Sequence, residues 1–172
     1  FAFWQWGAYS VDQIPGATAS HDKVLNHLLN VSGVSFFEQK GVETLRPFFW
    51  AALTQMGMYG YEYEPFKNYL SQQSDYTFDF TFPKGQSGTF NGDRMKAVNT
   101  FIQEKAKTML FIYGELDTWS ATAVNLSDTA KDNGLKKYVL HGGHHGTRIR
   151  HFEEATRNEI KVTLNGWLGL SE

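Results

Sequence analysis

The chain contains no cysteine. That excludes disulfides and thiolate chemistry, though it leaves the compartment open, because exported bacterial proteins often lack cysteine too. It also lacks any run of like charge: 16 basic residues stand against 18 acidic ones, for a net charge of −2. With no basic stripe to meet a phosphate backbone or an anionic lipid surface, nucleic acid is not an expected partner. No apolar run approaches the roughly 18 residues that a membrane span requires. The opening Phe1-Ala-Phe-Trp-Gln-Trp6 is apolar but too short for a signal h-region, carries no basic residue and starts without methionine. Any targeting segment is therefore expected upstream.

What the chain does have is ordinary globular composition, 41% hydrophobic and 20% charged over 172 residues, enough for one domain with a real core. Thirteen of its 27 aromatic residues fall within residues 1–63, and the character of the chain changes near residue 85. This divides it into an aromatic-rich, helical segment resembling a cap or lid, 1–84, and a segment 85–172 that reads as the tail of a sheet. In the first, helices are expected at Asp22 to Asn30, with Val24, Leu25, Leu28 and Leu29 on one face, and at Val42 to Tyr59, with Pro47 in or near its first turns. Tyr76 to Phe82 alternates as a short half-exposed strand or extended linker would, ending at Pro83-Lys-Gly85.

In the second segment a helix from Asp93 turns Met95, Val98, Phe101 and Ile102 inward and leads to a strand at Met109 to Tyr113. Ser120 then starts a helix through about Lys131, closed by Asn133-Gly134. A strand at Lys136 to Leu140 and a helix at about Phe152 to Leu168, with Ile160, Leu164 and Trp167 on one side, complete the pattern. Strand, helix, strand, helix at this spacing is the end of a doubly wound α/β sheet.

Both strands end in chemistry. The first runs into Tyr113-Gly-Glu-Leu-Asp117-Thr-Trp-Ser120 and the second into His141-Gly-Gly-His-His-Gly-Thr-Arg-Ile149. An acid and a histidine, each just past a strand, are two members of a Ser-acid-His triad in the chain order of an α/β-hydrolase. The serine is missing: no serine sits in Gly-x-Ser-x-Gly, and the nearest, Ser35 and Ser87, lack the final glycine and follow no strand-like run. The chain therefore reads as the C-terminal part of a larger enzyme. Asp117 is the candidate acid, although a turn aspartate can equally cap the helix that follows. Glu115 is the rival, with strand parity placing it on the other side. His145 is the candidate base and His144 the second choice. Three histidines in five residues could bind zinc, but their spacing lacks the usual helix-spaced or paired pattern, so no metal is assigned. Arg148 reads as structural, pairing with Glu153 or Glu154, or as solvated.

The stretches 113–124 and 142–149 resemble the serine peptidase family S37, the PS-10 or tripeptidyl aminopeptidase-like group, and the front half is similar to that family's helical cap. The resemblance implies a triad acid at Asp117 and a triad histidine at His145. It also implies exopeptidase activity on peptides with free amino termini, with selectivity for proline near the scissile bond in some relatives, and export for many members. No metal or organic cofactor is required. The departure from the family is the absent nucleophile, so this piece alone is expected to be inactive. An aminopeptidase must recognise an ammonium group, and Glu62 and Glu64 among Tyr59, Tyr61 and Tyr63 offer counter-charge and cation–π faces. With Trp119 they are the candidate substrate contacts.

The expected partners are a peptide substrate and the N-terminal remainder of the same enzyme, which would also cover the open sheet edge. An uncovered edge invites self-association. An esterase or lipase shares the same triad order and remains an alternative, as does a non-catalytic peptide-binding domain in which Asp117 and His145 are turn residues.

Overall fold

A computed structural model describes residues 2–60, 62–71 and 78–170. Among these the fold is mixed α/β: mostly helical, with two parallel strands. The chain forms two compact units, one of residues 1–33 with 101–172 and the other of residues 34–100. The compositional change near residue 85 thus falls inside the second unit.

The first unit begins with α1 (Ala2–Trp6) and α2 (His21–Ser32), tied together where the Tyr9 hydroxyl donates to the Asn30 carbonyl at 3.0 Å. Ser20 caps α2, its hydroxyl accepting from the Lys23 amide. The face formed by Val24, Leu25, Leu28 and Leu29 lies open to solvent.

In the second unit α3 (Gln39–Ala51) continues into a single π turn, Ala52–Met56, and stops at Gly57. The helix starts three residues before the expected Val42, so Pro47 lies in its interior rather than in its first turns. Phe49, Ala52 and Phe78 are buried here, with the rings of Phe49 and Phe78 stacked at 5.7 Å. The expected strand at Tyr76 to Phe82 is not formed over its described part. Asp79–Thr81 is a 3-10 turn, because the Thr81 hydroxyl bonds the Phe78 carbonyl at 2.6 Å and closes the backbone locally. Tyr76 and Thr77 lie outside the described residues.

Helix α4 (Asp93–Glu104) leads to β1 (Leu110–Gly114). Of its four apolar residues expected inward, Ile102 packs on a core of Ala106, Ala130 and Leu135, whereas Met95, Val98 and Phe101 are exposed. Helical spacing marks the face as apolar without saying what covers it.

The expected helix from Ser120 to Lys131 is corrected to a 3-10 turn, Thr118–Thr122, an irregular stretch, and the short α5 (Asp128–Asp132). Ser127 caps α5, accepting from the Ala130 amide at 3.1 Å, and Gln103 holds the stretch before it through the Asn125 carbonyl and the Ser127 amide. These bonds compete with a continuous helix across Thr122 and Val124, both poor helix formers.

This crossover brings β2 (Lys136–Leu140) parallel to β1, Leu110 opposite Lys136 and Gly114 opposite Leu140. Helix α6 (Glu154–Leu168) buries Ile160 completely. The Tyr138 hydroxyl donates to Glu159 on α6 at 2.7 Å, and burial together with that carboxylate pushes its pKa up to about 12. No helix among the described residues is long and apolar enough to cross a membrane.

Candidate active site

Because β1 and β2 are parallel and in register, both leave the sheet at the same edge, and the two loops that follow are bonded backbone to backbone. The Glu115 amide donates to the Leu140 carbonyl at 3.1 Å, and the Leu116 amide to the Gly143 carbonyl at 2.7 Å. Gly114 makes this approach possible. A β-carbon there would lie 2.5 Å from the His144 carbonyl oxygen and 2.7 Å from two further backbone atoms of Gly143 and His144. Real side chains do not tolerate such contacts, so the last residue of β1 has to be glycine for the histidine loop to cross it.

The crossing brings Asp117 and His145 together. The Asp117 Oδ2 atom lies 2.9 Å from His145 Nδ1, and the carboxylate side chain is only 12% exposed against 40% for the imidazole. A carboxylate accepts and cannot donate, so Nδ1 carries the proton and Nε2 is the nitrogen left to take one. The other oxygen, Oδ1, accepts from the Trp119 amide at 3.1 Å and so caps the 3-10 turn Thr118–Thr122. The two readings of this aspartate, orienting acid and turn cap, are therefore not rivals. Oδ2 faces the imidazole and Oδ1 the turn amide, so capping leaves the first oxygen free to orient a histidine.

Trp119, started on its way by that turn, sets its indole against the imidazole with ring centres 4.9 Å apart. Trp6 from α1 meets both, at 5.6 Å from His145 and 5.6 Å from Trp119, edge to face. The imidazole is thus braced by indoles from two separate elements, both of which keep a solvent-exposed face.

The other histidines of the loop take other partners. His141 Nδ1 pairs with Glu115 Oε2 at 2.7 Å, and the Gly142 amide donates to the same oxygen at 2.8 Å. His144 Nδ1 accepts from the Gly146 amide at 3.0 Å, turning its ring into its own loop. His151 Nδ1 accepts from the Arg148 amide at 3.1 Å. Among the described residues no three histidine or carboxylate side chains are grouped so as to hold a metal ion. Arg148 is structural in a different way from the one expected: its guanidinium donates to the Thr147 carbonyl at 2.7 Å and the His145 carbonyl at 3.4 Å, not to Glu153 or Glu154. Carbonyls of its own turn are nearer than any carboxylate on α6.

Glu62 and Glu64 belong to the second unit and are exposed; Glu64 pairs with Lys67 at 2.8 Å, one turn along a 3-10 segment, Glu64–Tyr69.

One residue at the acid–histidine pair has no counterpart in the sequence reading. Gln5, on α1, is 1% exposed, and its side-chain oxygen accepts from the His145 amide at 2.9 Å. Its Nε2 donates to the Ala2 carbonyl at 3.0 Å and reaches Asp117 Oδ1 at 3.5 Å. The available signal was a single amide between Trp4 and Trp6 in an otherwise apolar opening. A buried polar group in such a place has a partner that the sequence does not name.

Comparison with known proteins gives two matches. The family model described as PS-10 peptidase S37 matches residues 1–171. The prolyl tri/tetrapeptidyl aminopeptidase of Streptomyces mobaraensis is 25% identical over 172 residues, which cover 99% of this chain and 36% of that protein. The chain therefore spans about a third of the length of this curated relative. No solved structure matches.

Proposed function

Because the chain belongs to the PS-10 peptidase S37 family, a family of serine peptidases, we propose that Asp117 and His145 are the acid and the base of its triad, with the serine on a part of the enzyme preceding Phe1. The observation that carries this reading is the 2.9 Å contact between a largely buried carboxylate and His145 Nδ1. In this arrangement the serine hydroxyl attacks the peptide carbonyl as His145 Nε2 takes its proton. The proton passes to the leaving amine, and a water activated by the same nitrogen hydrolyses the acyl-enzyme. Asp117 holds the Nδ1–H tautomer and stabilises the imidazolium as it forms.

The parallel strands with their crossover fit the last strands of an α/β-hydrolase sheet, and the aromatic second unit fits a cap. The preceding part of the polypeptide would supply the remaining strands, the nucleophile and the oxyanion hole. It would also cover the apolar faces left open on α2 and α4. The substrate class we assign is a peptide with a free amino terminus and proline near the scissile bond, on the strength of the Streptomyces relative's name and the family's character. For the ammonium group we propose Glu62 and Glu64, whose joint conversion to glutamine would raise KM for free-amine peptides. An unchanged KM would remove them.

The test is fluorophosphonate labelling of the full-length enzyme and of residues 1–172 alone, with release of tri- and tetrapeptides from free and acylated amino termini. A labelled, active full-length enzyme that prefers free termini, beside an inert fragment, is expected. Preference for simple esters regardless of the amino terminus would favour an esterase, and no labelling would leave Asp117 and His145 as loop residues.

A further inference from the structure

We infer that Gln5 is a positioning residue for the acid–histidine pair, acting through both of its members at once. This rests on the triad reading given above. The amide is 1% exposed on the five-residue helix Ala2–Trp6, and its orientation is fixed by what surrounds it. The His145 N–H requires an acceptor, so the oxygen must face it, at 2.9 Å. The Ala2 carbonyl and Asp117 Oδ1 require donors, so the nitrogen must face them, at 3.0 and 3.5 Å. Reversing the amide would set like against like at all three contacts. A residue 140 positions away along the chain from His145 therefore anchors the backbone that carries the imidazole and donates to the carboxylate that orients it.

Among the described residues no other side chain is hydrogen-bonded to both. The Trp119 amide reaches only Asp117, and the Arg148 guanidinium reaches only loop carbonyls, that of His145 at 3.4 Å. Among the described residues the imidazole meets Asp117 at hydrogen-bond distance and the indoles of Trp119 and Trp6, while the Arg148 guanidinium lies on the His145 carbonyl and the uncharged Gln5 on its amide. Fixing both partners in the geometry they need during proton transfer is the kind of preorganisation in which a misplacement of about 1 Å costs on the order of 100-fold in rate.

The experiment uses the full-length enzyme and compares Gln5→Met, which keeps the shape and loses all three contacts, with Gln5→Glu, which keeps the acceptor for the His145 amide but replaces the donor that faces Asp117. Asp117→Asn and His145→Ala are run beside them, and thermal melting reports folding. Gln5→Met is expected to lower kcat by about 10- to 100-fold with KM within about twofold of the parent. Gln5→Glu, which adds negative charge beside the pair and so favours the imidazolium, is expected to move the acidic limb of the kcat/KM profile to higher pH. If Gln5→Met does not fold, the limb of Gln5→Glu decides. Folded variants with the parental kcat and an unmoved limb would overturn the inference, and so would a loss of rate with an unmoved limb, which a merely structural residue would give. If Asp117→Asn and His145→Ala keep the parental turnover, the triad reading falls and the role of Gln5 falls with it. If those two abolish turnover while both Gln5 variants behave as the parent, only the inference about Gln5 fails.

Discussion

Two acid–histidine pairs sit at the same sheet edge, built from the same two loops, and the shorter contact is not the one proposed for the triad. Glu115 meets His141 Nδ1 at 2.7 Å and Asp117 meets His145 Nδ1 at 2.9 Å. Their surroundings separate them. The His141 side chain is 96% exposed and Glu115 46%, so water competes for every contact they make, and such a pair is worth little. Asp117 is mostly buried, capped by a backbone amide and approached by an amide side chain, and its histidine is braced by two indoles. A short contact alone does not make an orienting acid. Exclusion of water, with hydrogen bonds that leave the carboxylate one direction to face, does.

The most direct way to break this comparison is to remove each histidine in turn. In the full-length enzyme His145→Ala is expected to lower kcat by about 10⁴-fold or more, as loss of a triad base does, while His141→Ala stays within about twofold of the parent. Turnover on a peptide with a free amino terminus is the measurement. Equal losses would mean that exposure does not distinguish the pairs.

A smaller effect separates the glycines that support each pair. Gly114→Ala drives a methyl group to within 2.5 Å of the His144 carbonyl oxygen, and overpacking against backbone costs about 1–3 kcal/mol. Since the loop that must give way carries His145, activity is expected to fall with stability. Gly142, whose amide serves Glu115, has φ +65 with open space around a β-carbon. Gly142→Ala is therefore expected to cost about 1 kcal/mol of backbone strain and leave turnover per folded molecule unchanged. Chemical denaturation alongside kcat on the two variants checks both statements.

How much of this was legible in the sequence follows from the range of the forces involved. The strands at 110–114 and 136–140, and the aspartate and histidine just beyond them, were readable because apolar runs and Gly-containing turns are local signals. The strand parity read for Glu115 was no such signal, because residues two apart on a strand share a face and both acids lie past the end of β1 at Gly114. The Ser120 helix was misread because Ser120 and Ser127 carry the same capping signal, and partners distant in sequence, Gln103 on Asn125 and Ser127 and the Tyr113 hydroxyl on the Val124 amide, favour the later one. Met95, Val98 and Phe101 have helical spacing whether or not anything covers them, and they are exposed. Gln5 was invisible for the plainest reason: its partner lies 140 residues away.

The smallest expected effect concerns the acids, and it sharpens the comparison on stability rather than rate. Glu115→Gln removes the charge facing an exposed imidazole but keeps an oxygen able to accept from the Gly142 amide. Exposed ion pairs contribute about 0–1 kcal/mol, so the variant should unfold within about 1 kcal/mol of the parent. Asp117→Asn keeps the shape too, yet an amide can satisfy the Trp119 amide or His145 Nδ1–H with its single oxygen, not both. The side-chain NH2 then meets Nδ1–H unless the imidazole shifts its proton to Nε2, and either way the charge-assisted bond is lost, at a cost of about 1–3 kcal/mol. Denaturant midpoints for the two variants measure the difference. If Glu115→Gln proved the more costly, the exposed pair would be the one holding the loops together, and the burial of Asp117 would no longer explain why the site is built around it.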